Sequence, residues 1–109
     1  MTGRLVVLST VGKAEDAERI GRALVERGLA ACVNVLPAVT SIYRWKGKVE
    51  KDEERLLVIK TRAERFEALR QALVSLHPYE VPEVLALPIT GGHQPYLDWL
   101  DESVKEGGG

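Results

Sequence analysis

Residues 38–61 read AVTSIYRWKGKVEKDEERLLVIKT. Val39, Thr40, Ile42, Tyr43 and Trp45 make the first half rich in β-branched and aromatic residues, and Leu56 to Ile59 make the end of the second half apolar. Between them lies Lys46-Gly47-Lys48. A glycine in a three-residue loop between two extended runs predicts a β-hairpin. With that loop Trp45 faces Val49 and Arg44 faces Glu50, a favourable cross-strand charge pair. The arms span residues 38–60, well beyond the usual strand of about 5–6 residues. A long projecting ribbon costs ordering entropy unless something pairs with it. Tyr43 and Trp45 stand opposite the charged segment 50–55, so the ribbon is expected to be covered by another subunit rather than left as a solvated arm.

The elements on either side complete a pattern. Residues 4–10, RLVVLST, form a nearly continuous apolar run, as in a central strand buried on both faces. A helix follows from about Lys13 to Arg27, with Ala17, Ile20, Gly21 and Leu24 on one face and Gly28 as a left-handed stop. Gly12 is a tolerable cap for its start. Residues 31–37, ACVNVLP, read as a second strand, with a bulge or edge at Pro37, which cannot donate to a ladder. Thr61 and Glu64 make a capping-box pattern for a second helix, in which Phe66, Leu69, Leu73 and Leu76 recur at helical spacing. Pro78 ends it. Residues 83–89, EVLALPI, give a last strand. A third helix starts near Pro95, with Leu97, Leu100 and Val104 inside. The order predicts an α+β fold: a ferredoxin-like split βαβ–βαβ antiparallel sheet with a long hairpin and an extra C-terminal helix. One domain is expected over residues 1–106, with a flexible tail at 107–109.

Bulk properties narrow the function. The 109 residues suit one small domain, 45% hydrophobic and 28% charged. Fifteen basic and sixteen acidic residues are interspersed, with no Lys/Arg stripe, which argues against nucleic acid. No apolar run reaches the ~18 residues that span a bilayer, and MTGRLVVLST lacks a signal-peptide cleavage site. A cytoplasmic location is expected. The lone Cys32 cannot form an internal disulfide, which fits a reducing compartment. The scarcity of Asn, Gln, Cys and Met hints at a thermostable protein from a heat-tolerant source.

Catalytic constellations are absent from the sequence: no GxSxG elbow, no Walker loop, no dinucleotide fingerprint, no HExxH. Ser9, Ser41, Ser75 and Ser103 have no sequence partner that would activate them. The soft ligands are Cys32, His77 and His93, too few for a closed zinc site in one chain. Cys32 with His77 suits a cuprous ion, which accepts two or three soft ligands. The plainer readings are that Cys32 is a small buried hydrophobe and that His77 bonds to the end of the second helix. His93 reads as a loop or capping residue. Lys60 either presents its ammonium to a cleft near His77 or snorkels outward. In HPYEVPE, residues 77–83, two prolines stiffen the chain, and Tyr79 and Glu80 add an aromatic body and a charge. The segment reads as one wall of a pocket between subunits.

Three stretches occur in register: GLAACVNVLPAVTSIYRWKGKVEKDEERLLVIKT at 28–61, HPYEVPEVLALPI at 77–89 and YLDWL at 96–100. Together they closely resemble the divalent-cation tolerance protein CutA family, from the first strand to the third helix. The resemblance implies a ferredoxin-like fold, a tight homotrimer and an architecture similar to the PII signalling proteins. It implies a non-enzymatic role in the response to metal ions, with copper or another divalent cation bound and no organic cofactor. Carried over by position, it marks Cys32 and His77 as metal ligands. It also marks Tyr43, Trp45, Lys60, Tyr79 and Glu80 as lining the cleft between subunits. Leu76 stands where some relatives carry a second histidine, which removes one ligand. Two other roles remain open: a PII-like sensor binding a small metabolite in those clefts, and a mainly structural assembly module.

Overall fold

The computed structural model describes residues 2–104. The chain runs β1 (Arg4–Val11), α1 (Ala14–Glu26), β2 (Cys32–Trp45), β3 (Lys48–Arg62), a 3-10 turn (Ala63–Arg65), α2 (Phe66–Leu76), β4 (Leu85–Pro88) and α3 (Gln94–Ser103). One sheet has the order β2-β3-β1-β4, and every neighbouring pair is antiparallel. This is the split βαβ–βαβ arrangement expected from the sequence. The tail at 107–109, and residues 105 and 106 of the expected domain, lie outside the described residues. No described helix is long and apolar enough to cross a membrane.

Side-chain alternation along the strands divides the sheet into two faces. Val7 and Val11 of β1 and Leu57 and Ile59 of β3 point to one face. They pack against Ala17, Ile20 and Leu24 of α1 and Leu69 and Leu73 of α2, and this is the main core. The opposite face carries Arg4, Val6, Leu8 and Thr10 of β1 with Arg62, Lys60, Val58 and Leu56 of β3. Arg4 and Arg62 both bind Asp101 of α3, at 2.6 and 2.7 Å, so α3 packs on this second face, at one end of it. Its inner stripe, Leu97, Leu100 and Val104, is buried as expected. Among the described residues no helix covers the rest of the second face. β1 is therefore fully buried on one side and only half-buried on the other, against the expectation of burial on both.

Local chemistry accounts for the ends of the elements. Gly28 has φ +71° and ends α1 in the left-handed region. Lys13, in an extended conformation, precedes α1 where Gly12 was expected to cap it. α2 stops at Leu76, and His77 is already extended ahead of Pro78. The Thr61–Glu64 capping box does not form. Thr61 is instead a fully buried residue of β3, and its hydroxyl donates to Leu29 O at 2.7 Å. Glu64 instead accepts from Arg62 at 2.8 Å. A hydroxyl that satisfies a buried carbonyl is worth more inside the core than at a helix end.

The hairpin register also differs from the expected one. Trp45 pairs with Lys48 and Arg44 with Val49, around a two-residue turn. Lys46 at φ +50° and Gly47 at φ +81° are both left-handed, the requirement of a type I′ turn, whose twist matches that of the strands. The expected Arg44–Glu50 pair is replaced by Tyr43 opposite Glu50. This turn sets a register one residue out of step with the inner ladder, where Cys32 faces Lys60 and Leu36 faces Leu56. A bulge between Leu36 and Val39, at Pro37-Ala38, absorbs the mismatch.

Candidate functional site

The bulge decides which side chains meet. Without it, Ile42 and Arg44 would share a face with Asp52 and Glu54; with it, Tyr43 and Trp45 do. Tyr43 is then diagonal to Asp52, and its hydroxyl donates to Asp52 Oδ2. Glu54, next along the same face, is only 6% exposed and accepts a 2.6 Å hydrogen bond from the Tyr79 hydroxyl. Tyr79 arrives from the connector between α2 and β4. A cleft of about 410 Å³ results, with Thr10, Tyr43, Trp45, Asp52 and Glu54 on the sheet side and Tyr79, Glu80, Val81 and Glu83 on the connector side.

His77 fixes the connector. Its Nδ1 accepts the Tyr79 backbone N–H at 3.1 Å, and its Nε2–H donates to Thr10 O at 2.8 Å. A backbone N–H can only donate, so Nδ1 carries no proton and the ring is the Nε2–H tautomer. The ring also packs against Tyr79, with centroids 4.6 Å apart. His77 is buried and both its nitrogens are engaged.

The neighbouring carboxylates shift the tyrosines. The Tyr43 pKa is pushed from 10 up to about 12, chiefly because its hydroxyl is bound to Asp52. That of Tyr79 is raised as well, first by burial and then by its bond to Glu54. Both phenols stay protonated at neutral pH and hold their rings as fixed walls.

Cys32 and Lys60 lie elsewhere. They face each other across β2 and β3, with Lys60 Nζ 4.0 Å from Cys32 Sγ and also bonded to Asn34 Oδ1. Lys60 is four residues along β3 from Leu56, the partner of Thr10, so about 13 Å separates this pair from the His77 end. Within one chain the structure brings Tyr43, Trp45, Tyr79 and Glu80 together and sets His77 behind them. It does not bring Cys32 to His77 or Lys60 to the cleft. Among the described residues no three His, Cys, Asp or Glu side chains converge as a cation site would require. Ser9 is fully buried, and its hydroxyl has no hydrogen-bond partner among the described residues. Thr10, Asp52 and Glu54 are the cleft residues that sequence reasoning missed, whereas Val81 and Glu83 fall within the wall expected at residues 77–83. The alternation of 52 and 54 within KDEER was the available signal, legible only once the bulge is known.

Comparison with known proteins agrees with the fold. The family profile described as "CutA1 divalent ion tolerance protein" matches residues 5–103. The "Divalent-cation tolerance protein CutA" of Thermus thermophilus is 54% identical over 98 residues, covering 90% of this chain and 95% of the relative. The "Protein CutA homolog" of Xenopus laevis is 58% identical over 90 residues, covering 83% of this chain but 60% of the relative. The solved structure of the T. thermophilus divalent cation tolerance protein superposes with a TM-score of 0.91 at 52% identity, covering 94% of this chain and 99% of the other. That of CutA from Xylella fastidiosa gives a TM-score of 0.92 at 40% identity, with coverage of 94% and 99%. The fold is thus shared over nearly the whole length, and the chain belongs to the CutA1 divalent ion tolerance family.

Proposed function

We propose that this chain serves in divalent-cation tolerance as a non-catalytic, cytoplasmic homotrimer that binds copper or another divalent cation. The observation that carries the assembly is the outer hairpin. Ile42 is 69% and Val49 66% exposed, with Tyr43 and Trp45 also open to solvent. Such a surface on a projecting ribbon is stabilised when neighbouring copies cover it. The same association supports the metal reading. Cys32 offers a soft donor, and His77 has both nitrogens occupied within its own chain. A complete ligand set therefore calls for donors from more than one copy or for release of the His77 ring. Sedimentation at low micromolar concentration is expected to give the trimer mass; a folded monomer there removes the assembly. Calorimetric titration with copper and zinc tests the ligands. Affinity is expected to fall in Cys32→Ala and His77→Gln, and an unchanged affinity in the double variant removes both residues from the site.

The second reading, a PII-like sensor of a small molecule, is favoured by the cleft itself. Its volume falls within the range of about 300–1,000 Å³ usual for ligand sites, and Tyr43, Trp45, Tyr79 and Glu80 all line it. Its carboxylates disfavour nucleotides and other anions. A thermal-shift screen of small molecules tests this reading, since a ligand raises the apparent Tm by mass action.

A further inference from the structure

We propose that α3 is a clasp on the second face of the sheet, closed by Asp101, and that its opening governs access to Cys32. The helix stands apart from the main core. Its buried Leu100, with Val104 just beyond, forms a separate small cluster with Ala31, the residue before β2. The chain reaches α3 from β4 through residues 89–93, which include Gly91 and Gly92. Its polar anchor is one carboxylate. Asp101 Oδ2 accepts from Arg4 Nη2 at 2.6 Å, and Oδ1 accepts from Arg4 Nε at 3.0 Å and pairs with Arg62 Nη1 at 2.7 Å. Arg4 belongs to β1 and Arg62 to β3, so a single side chain pins the helix to two strands. Arg4 also donates to Thr2 O and Arg62 to Glu64, which hold the two guanidinium groups in place. Such forked, charged bonds are among the stronger ones. The bond from Arg4 is the first cause that holds the Asp101 carboxyl below its ordinary value.

Cys32 lies in the adjoining row. Next to the Arg4–Arg62 pair on the same face come Val6, Lys60 and Cys32, partnered in that order across β1, β3 and β2. Cys32 is half-buried and directly follows Ala31, which packs with Leu100 and Val104. The Tyr96 phenol of α3 is raised first by its own burial and then by the Cys32 charge, as suits a helix that flanks the sulfur. An opening confined to α3 gives up the Ala31 cluster and the Asp101 bridge and leaves the core of Val7, Leu57 and Ile59 intact. It differs from fraying of a chain end, in which protection falls off residue by residue. The clasp stands on its own geometry. Its bearing on function rests on the reading of Cys32 as a metal ligand, since a hinged helix beside the thiol offers or withholds it.

The test is native-state amide exchange of the intact protein, with the rate of Cys32 alkylation by iodoacetamide measured on the same samples. Amides of residues 97–103 are expected to exchange through one shared opening, well before those of α1 and α2. Asp101→Asn is expected to raise that opening by about 5- to 50-fold and to speed alkylation with it, leaving the α1 and α2 amides unchanged. Asp101→Glu should recover part of the loss. Amides 97–103 that exchange only with the main core, or in a graded series toward the chain end, overturn the clasp. A larger opening in Asp101→Asn with unchanged alkylation overturns its hold on Cys32. If alkylation responds as expected while copper affinity is the same in Cys32→Ala as in the parent chain, the clasp stands and the metal reading of Cys32 falls.

Discussion

One hairpin, β2 with β3, passes through two environments. Its inner half, Cys32–Leu36 paired with Leu56–Lys60, lies over α1 and α2, and Leu57 and Ile59 there are fully buried. Its outer half, Val39–Trp45 paired with Lys48–Glu54, makes the same backbone ladder with no described helix behind it. The backbone hydrogen bonds of the two halves are alike, so the difference lies in what the side chains can bury. The inner half belongs to the core, whereas the outer half is held by the I′ turn, by cross-strand pairs and by Tyr79 reaching Glu54. Stability and binding surface are thus drawn from opposite ends of one element.

Four experiments would break or sharpen this contrast. The largest effect is expected at Leu57. Leu57→Ala leaves a cavity in the core and is expected to cost about 2–5 kcal/mol in chemical denaturation. Ile42→Ala, on the bare half, should stay within about 0.5 kcal/mol for the dissociated chain. An Ile42 cost as large as that of Leu57 that disappears on dilution would place the missing layer in a neighbouring copy. A large cost that persists on dilution would break the contrast.

Next is Tyr79→Phe, which leaves the mostly buried Glu54 without its hydroxyl partner. A destabilisation of about 1–3 kcal/mol is expected, together with higher mobility of the connector by amide exchange. No loss would mean that water replaces the hydroxyl freely and that the cleft wall is not fixed by this bond. Gly47→Ala comes third. It places a Cβ at φ +81° and is expected to cost about 1 kcal/mol or less, read as fraying of the outer ladder with the inner amides unchanged. Inner amides that lose protection equally would show that the two halves melt as one.

The smallest effect is alkaline. Tyr43 holds its proton more tightly when folded than when unfolded, because its pKa rises from 10 to about 12. That contribution is complete below pH 10 and is lost as the pH climbs through about 12. Tyr79 and Tyr96 are shifted in the same direction. Phenolate absorbance should therefore rise later in the folded protein than in urea, and Tyr43→Phe should remove part of the delay. Titration of all three at the ordinary value would contradict the Tyr43–Asp52 and Tyr79–Glu54 bonds.

Much of the fold was legible in local patterns. Helical spacing of Ala17, Ile20 and Leu24, the stop at Gly28, the proline after His77 and the stripe Leu97, Leu100, Val104 all follow from periodicity and backbone sterics, which act within a few residues. Resemblance in the hairpin and connector added the family. Tyr43, Trp45, Lys60, Tyr79 and Glu80 were marked on that ground for a cleft between subunits; within the single chain Tyr43, Trp45, Tyr79 and Glu80 line one cleft, and Lys60 lies outside it.

The sequence alone determined the order and type of the elements, because alternation, helical spacing and turn chemistry are local. It also marked Pro37 for a bulge or an edge, since proline cannot donate to a ladder. Tertiary structure alone decided the rest. The I′ turn and the bulge had to be reconciled over some twenty residues before Tyr43 and Trp45 could be assigned a face. Thr61 left its helix cap for a buried carbonyl contributed by a distant segment. Glu54 became a cleft residue only when Tyr79, twenty-five positions away, came to rest on it. Pairings of that kind depend on where separated strands meet, and no window of sequence records them.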